Sequence, residues 1–227
     1  MDEIYINSGL VIGYEDRKLC SLSQDIPLSP GGVSVLVGNN GVGKTTLLKT
    51  ICGTLPPLSG TIPACQKVYL PEDLDFSPLL TPRRLIFSLF SKPDPYVEAA
   101  MLFGVPMETP YENMSKGNRQ KLRVVIAEGF AWSTKASVLC LDEPFSGLDG
   151  ISRQMFMDVW NGDRVRPRIF SNAHRIISMH SGPTPSSDQT IVLAGSKLHR
   201  LPPIHNCDHW MEFALSMGVS LNNTETL

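Results

Sequence analysis

Val33-Ser-Val-Leu-Val-Gly38-Asn-Asn-Gly-Val-Gly43-Lys44-Thr45-Thr46 is the stretch on which the reading of this chain turns. Four of its first five residues are apolar and three of those are β-branched, the composition of a short buried strand. A glycine-rich turn follows at Gly38. From Thr45 to Ile51 the pattern is helical, and Gly53 is a stop signal just beyond it. Strand, glycine loop and helix in this order form a cradle for phosphate. Glycines let the backbone turn tightly and aim its N–H groups at phosphate oxygens, and the helix brings its positive end to the same place. The match to G-x-x-x-x-G-K-[ST] is complete. The expected nucleotide contacts are therefore Gly38, Asn39, Asn40, Gly41, Val42, Gly43, Lys44, Thr45 and Thr46. Lys44 reaches the β- and γ-phosphates and the Thr45 hydroxyl binds Mg²⁺. A chance glycine turn is the plain alternative, disfavoured by the strand before and the helix after. By itself the loop leaves kinases, GTPases and many ATPases open.

A second apolar run, Val138-Leu-Cys-Leu141, reads as a buried parallel strand and ends in Asp142-Glu143-Pro144. A carboxylate at a strand end beside a phosphate loop belongs on Mg²⁺, which gives Asp142 that role. Glu143 is then placed to polarise an attacking water as general base. An isolated Asp-Glu-Pro would be read as a polar turn; the complete phosphate loop upstream changes that.

Around these segments, Ile4-Tyr-Ile6 and Asp25-Ile-Pro-Leu28 read as strands of an antiparallel flanking sheet, and Val68-Tyr-Leu70 as a further strand. Prolines at 71, 78, 82, 93, 95, 106 and 110 then cut the chain into short helices. One of them is expected from Pro82 to Ser91. A stronger helix is expected from Ser115 to about Ala131, with Leu122, Val125, Ile126 and Gly129 at helical spacing. Arg168-Ile-Phe170 is read as another strand, Thr190 to Ala194 as a late strand, and Trp210 to Met217 as a terminal helix.

With the motifs in place, the chain resembles the ABC ATPase superfamily over roughly residues 4 to 200. Asn113-Met-Ser115-Lys-Gly117-Asn-Arg-Gln120 resembles the signature motif, usually LSGGQ. Ser146-Gly-Leu-Asp149 resembles the D-loop, and Ser171-Asn-Ala-His174 the switch-histidine segment. Tyr14 resembles the aromatic that stacks on adenine, and Val68-Tyr-Leu-Pro-Glu72 the Q-loop. The resemblance implies an α/β fold: a P-loop NTPase core of ABC type with a parallel core sheet, a flanking antiparallel β-subdomain and a compact helical subdomain. It implies one nucleotide-binding domain over 1–227, with the helical insertion at about 73–131 and a C-terminal extension at about 200–227. It also implies hydrolysis of ATP with Mg²⁺, between one domain's phosphate loop and the other's signature in a head-to-tail dimer of identical chains. In that scheme Lys44 and Glu143 are catalytic, and His174 senses the γ-phosphate. Ser115 and Gly117 meet ATP from across the dimer, Asp149 makes a cross-dimer contact, and Glu72 joins Thr45 and Asp142 at the metal.

The pattern is departed from in places. Glu72 stands where glutamine is usual, and an ionised glutamate offers only oxygen acceptors and adds negative charge near the phosphates. Lys116 replaces a glycine of the signature and Asn118 its glutamine. The Ser-Lys-Gly form, with Leu-Pro-Glu and Leu80-Thr-Pro nearby, resembles the drug- and peptide-exporter branch, including bacitracin-type exporters. The expected role is thus the ATPase subunit of an exporter, cytoplasmic and held to the inner face of the membrane by a separate transmembrane permease.

Composition agrees with a folded domain and narrows the partners. Hydrophobic residues make up 42% and charged residues 19%, with a net charge of -2, so no basic face for nucleic acid is expected. Neither a secretory leader nor an apolar run long enough for a bilayer is read. The single motif set, without sustained heptads, weighs against a soluble translation or DNA-maintenance ATPase. A nucleotide-gated module that barely hydrolyses ATP is a third reading, motivated by Glu72 and the altered signature. The five scattered cysteines are expected as free thiols. His205-Asn-Cys207-Asp-His209 is read as a surface turn rather than a metal site, and His180 and His199 as ordinary polar positions. Met155, Phe156, Val159 and Trp160 are read as the core face of a helix.

Overall fold

A computed structural model of the chain describes residues 4–164 and 166–221. Ten strands and six α-helices are assigned among them. β1 (Ile4–Ile6) and β4 (Ile26–Leu28) form a separate antiparallel pair. The other strands are β2 (Val11–Tyr14), β3 (Arg17–Leu22), β5 (Val33–Gly38), β6 (Lys67–Leu70), β7 (Val138–Leu141), β8 (His174–Ser178), β9 (Gln189–Ala194) and β10 (Lys197–Leu201). They build one eight-stranded sheet in the order β2-β3-β10-β9-β5-β8-β7-β6. The pairs β9/β5, β5/β8, β8/β7 and β7/β6 are parallel, so the centre of the sheet carries its strand C-termini along one edge. Antiparallel β2/β3 and β9/β10 extend it to one side. This is the mixed α/β architecture expected.

Strand alternation decides which residues meet which helices. Val33, Val35 and Val37 of β5 point to one face, with Leu139, Leu141 and Ile177. They pack there with α3 (Asp94–Leu102), α4 (Lys116–Ser133) and α5 (Gly150–Asn161). Leu36, Cys140 and Ile176 point to the other face and pack on Leu47, Leu48 and Ile51 of α1 (Lys44–Cys52) and on the β1/β4 pair. The central strands are covered on both faces, which is why they read as continuous apolar runs.

Helix boundaries follow local chemistry. α2 (Pro82–Leu89) has Thr81 as N-cap and proline in its first turn. α4 starts at Ser115, whose Oγ accepts from the Asn118 amide at 3.2 Å. α5 starts at Asp149, whose carboxylate accepts from Ser152 N at 2.7 Å. α6 (Trp210–Ser216) closes the described chain. The face read from Met155, Phe156, Val159 and Trp160 is indeed packed inward on α5, with Met155 partly buried. All five cysteines are free thiols. Cys207 is fully buried rather than on a surface turn.

Arg175 of β8 is fully buried against Glu128 of α4, with Nε–Oε1 at 2.6 Å and Nη2–Oε2 at 2.8 Å. Trp160 Nε1 of α5 donates to the same Glu128 Oε1 at 2.9 Å. This satisfied pair ties two helices to the strand that runs toward the candidate site.

One expected strand is corrected. Arg168-Ile-Phe170 forms a turn, closed by Phe170 N donating to Pro167 O at 2.9 Å. Ile169 and Phe170 are apolar because they enter the core, with Phe170 stacking near Phe103. The strand lies one segment later, at β8. Among the described residues no helix is long and apolar enough to cross a membrane.

Candidate nucleotide site

A cavity of about 430 Å³ opens at the C-terminal edge of the parallel strands. Ligands of open α/β sheets bind at that edge, because loops of different strands converge there. Asn40, Gly41, Gly43, Lys44, Thr45 and Thr46 line it from the loop after β5 and the start of α1. Gly43 sits at φ 112°, left-handed backbone that favours glycine, and no side chain caps the helix behind it. The first-turn N–H groups of α1 are thus left for a ligand. Lys44 Nζ donates to Gly38 O at 2.8 Å and Asn39 O at 3.2 Å, drawing the loop into a ring around its own ammonium. Burial pulls that ammonium below its ordinary pKa, and Glu143 and Asp142 work against the shift. Gly38, Asn39 and Val42, also expected at the nucleotide, do not line the cavity: the first two give their carbonyls to Lys44, and Val42 packs against the core on the Leu36 face.

Asp142 follows β7 and is buried. Its Oδ1 accepts from Ser178 Oγ at 2.7 Å and its Oδ2 from the Tyr69 hydroxyl at 3.1 Å. Glu143 adopts φ 50°, a left-handed conformation made more costly by the proline that follows. The Ser178 hydroxyl oxygen accepts from Glu143 N at 2.9 Å and helps hold this backbone. Burial pushes the Glu143 carboxyl up to about 8; Lys44 opposes that, and Asp142 and Glu72 add to it. Glu72 itself lines the cavity.

The histidine at this site is His180, not His174. His174 is the first residue of β8, at the strand edge away from the cavity. It is buried, with Nε2 2.8 Å from Ser34 Oγ and Nδ1 3.0 Å from Ser29 O. Its ring organises the turn before β5 and cannot meet a phosphate on the loop. His180 lies beyond the other end of β8 and lines the cavity. Its Nε2 is 2.9 Å from Glu143 Oε1. That contact is a close approach without hydrogen-bond alignment, so Oε1 is a buried oxygen with no hydrogen-bond partner among the described residues. Burial, then Lys44, lowers the His180 pKa.

On the open side stands Tyr14, half-exposed, sharing a 3.4 Å hydrogen bond between its hydroxyl and Thr46 Oγ1. Arg17 and Leu19 line the cavity beside it. Ser115, Gly117 and Asp149 do not line this cavity. Ser115 and Asp149 cap helices, and the Lys116 stem lies against Gly147, so the signature-like and D-loop-like turns touch within one chain.

Tyr69, Ser178 and Arg17 were not singled out from sequence, and His180, read there as an ordinary polar position, is corrected to a cavity-lining residue. His180 had a usable signal: it follows the Ile176-Ile177 pair, and parallel strands deliver site residues after their apolar run. Tyr69 and Ser178 carried none, since nothing local says that a strand side chain will meet Asp142.

A family profile described as ABC transporter matches residues 23–146, more than half of the chain. The chain belongs to the ABC transporter ATP-binding family. It is 30% identical over 167 residues to the ABC transporter ATP-binding protein YthP of Bacillus subtilis (strain 168), described as uncharacterized, covering 68% of this chain and 69% of YthP. It is 33% identical over 143 residues to the zinc import ATP-binding protein ZnuC of Halorhodospira halophila (strain DSM 244 / SL1), covering 59% of this chain and 54% of ZnuC. The chain spans about half the length of the ZnuC relatives it matches. Among solved structures, an ATP-binding subunit of an ABC transporter superposes with a TM-score of 0.65 over 94% of this chain and 93% of that one, at 20% identity, a likeness of fold.

Proposed function

We propose that this ABC family member binds and hydrolyses Mg·ATP and drives a separate membrane permease, acting as a head-to-tail pair of identical chains. The observation that carries this reading is the convergence of Lys44, Asp142, Glu143 and His180 on one cavity over an open helix N-terminus.

The residues present fit the cofactor. Asp142 is a carboxylate locked by two hydroxyls, and Thr45 places a hydroxyl in the same cavity; both are the hard oxygen donors that Mg²⁺ prefers. Glu72 offers a further oxygen. Bound there, the ion would neutralise charge on the β- and γ-phosphates. The loop amides and Lys44 hold the triphosphate, and Lys44 exchanges its loop carbonyls for phosphate oxygens. Tyr14 offers its half-exposed ring to the base. Glu143 Oε1, buried and without a hydrogen-bond partner, accepts the proton of the attacking water. His180 contacts the γ-phosphate, the role that His174 was expected to supply, and it also orients Glu143. Ser115, Gly117 and Asp149 act on the partner's nucleotide. The residues between Glu72 and α4 carry the permease contact, within a single nucleotide-binding domain.

The export expected from the Ser-Lys-Gly signature is set aside. Several relatives are named for zinc import, and three signature residues have no bearing on direction within this cavity. The cargo is chosen by the permease.

The test is to tag the chain, extract the host membranes gently in detergent, and assay what is recovered. A multi-helix membrane protein in stoichiometric amount, with Mg-dependent ATP turnover, is the expected result. Recovery with ribosomes or nucleic acid alone would overturn the transport half, and absence of turnover in an ATP-binding complex would overturn the hydrolytic half.

A further inference from the structure

Among the described residues His180 has no side-chain tie other than its approach to Glu143, so its aim depends on the backbone around it. That backbone is a poor one for holding aim. After β8 the chain runs Ser181-Gly-Pro-Thr-Pro-Ser-Ser-Asp188 without a helix or strand before β9. Left free, such a segment would visit many conformations. It is held from outside instead. Arg153 of α5 donates from Nη1 to Ser181 O at 3.3 Å. Gly182 N donates to Asp208 Oδ1 at 2.9 Å, and Cys207 N donates to Gly182 O at 2.9 Å. Thr184 N donates to His205 O at 3.1 Å, and Pro183 bridges Asn206 in antiparallel fashion. Gly182 has φ 82°, and a side chain there would run into the Arg153 guanidinium.

The clamping segment is itself anchored. Ile204, Cys207 and Trp210 are buried in the core, and Asn206 Oδ1 accepts from Asp208 N at 2.8 Å to fix the turn that presents the carboxylate. Burial pushes the Cys207 thiol up to about 12, so it serves as an apolar peg.

We propose that the segment Ile204–Asp208, through the Asp208 carboxylate and the Cys207 amide, together with Arg153, positions His180 over the nucleotide. Asp208 and Arg153 are positioning residues: neither lines the cavity. The proposal rests on the hydrolytic reading of His180 above. It gives the C-terminal segment a part in catalysis, and Arg153 links that part to α5, the helix that begins at Asp149.

The experiment compares Asp208→Ala, Asp208→Asn and His180→Ala with the parent, in the full chain with its membrane partner. The readouts are ATP turnover, binding of a fluorescent ATP analogue, hydrogen exchange at Gly182, and NMR titration of the His180 ring in the isolated full chain. Misplacement of a catalytic group by about 1 Å lowers rate by up to about a hundredfold. Asp208→Ala is expected to lower kcat about tenfold with KM nearly unchanged, to speed exchange at Gly182, and to move the His180 titration. Asp208→Asn, whose amide oxygen can still accept from Gly182, is expected to restore most of the rate. Unchanged kcat in Asp208→Ala beside a slow His180→Ala would overturn the proposal. So would equal losses in nucleotide binding and kcat without rescue by asparagine, the mark of a structural role. If the parent binds nucleotide but does not turn over, the hydrolytic reading fails instead, and an unmoved His180 titration in Asp208→Ala then overturns the clamp on its own.

Discussion

Replacing Glu143 by glutamine should abolish turnover and, against intuition for a buried residue, stabilise the nucleotide-free protein at alkaline pH. The carboxyl is raised from 4.5 to about 8, chiefly by burial. A group with a raised folded-state pKa leaves its full stabilisation in place below the unfolded value. That stabilisation is lost as pH climbs through the folded value, because the folded state binds the extra proton in between. Glutamine mimics the protonated form at every pH. The gap between variant and parent should therefore be near zero at pH 4.5 and grow to a plateau above pH 8. At about 1.36 kcal/mol per decade the shift sets a ceiling of about 5 kcal/mol. The cavity is open to solvent, and screening brings that down to about 1–2 kcal/mol. In a domain of this size that is about 3–6 °C in Tm. Differential scanning fluorimetry of both proteins across this pH range reads it, and an ATPase assay reads a turnover loss of about a hundredfold or more. Nucleotide should still bind, and the ATP-loaded pair should persist on gel filtration. A glutamine variant that turns over at the parental rate would refute Glu143 as base. A variant no more stable than the parent above pH 8, or equally stabilised at acid and alkaline pH, would refute the burial argument.

Other outcomes follow from neighbouring residues. His180→Ala should cut turnover by about a hundredfold while leaving the fold intact. His174→Ala should cost about 1–3 kcal/mol in a denaturant titration, because it strips buried partners from Ser34 and Ser29, and leave the surviving turnover per folded molecule unchanged. The rising limb of kcat/KM against pH should lie near the Glu143 value of about 8 in the parent. Since Glu72 adds to that upward shift, Glu72→Gln should move the limb to lower pH; an unmoved limb would show that the two carboxylates do not communicate. Arg175→Met, which leaves Glu128 buried and unpaired, should cost about 3–5 kcal/mol in the same titration.

What could be read from the sequence was what is local. The loop from Gly38 to Thr45 has its strand before it and its helix after it in the chain, and so does the Asp142-Glu143 turn its strand. Each motif carries its own structural context within a few residues. The β1/β4 pairing and the α5 face were legible for the same reason, through short periodic patterns. The mixed sheet order was not, because β9 and β10 lie between β3 and β5 only in space. Tyr69 and Ser178 reach Asp142 across neighbouring strands, a relation that no spacing along the chain encodes.

The histidine shows how a small error of placement takes one expected residue out of the cavity and leaves another in it. Reading Arg168-Ile-Phe170 as the strand put His174 just past a strand end, where a phosphate contact belongs. With β8 at His174–Ser178, the same residue stands at the strand's beginning. Five residues of strand span about 17 Å, so the two ends of β8 face different chemistry. One end closes on Ser34 and Ser29, the other delivers Ser178 to Asp142 and His180 to Glu143. The Ile169-Phe170 pair misled because an apolar pair can enter a core from a turn as readily as from a strand. Ile176-Ile177 was the better guide: it lies in an uninterrupted buried run, His174 to Ser178, that a central parallel strand requires. In this sheet the cavity opens at the C-terminal edge, and the histidine that lines it is the one the strand runs into.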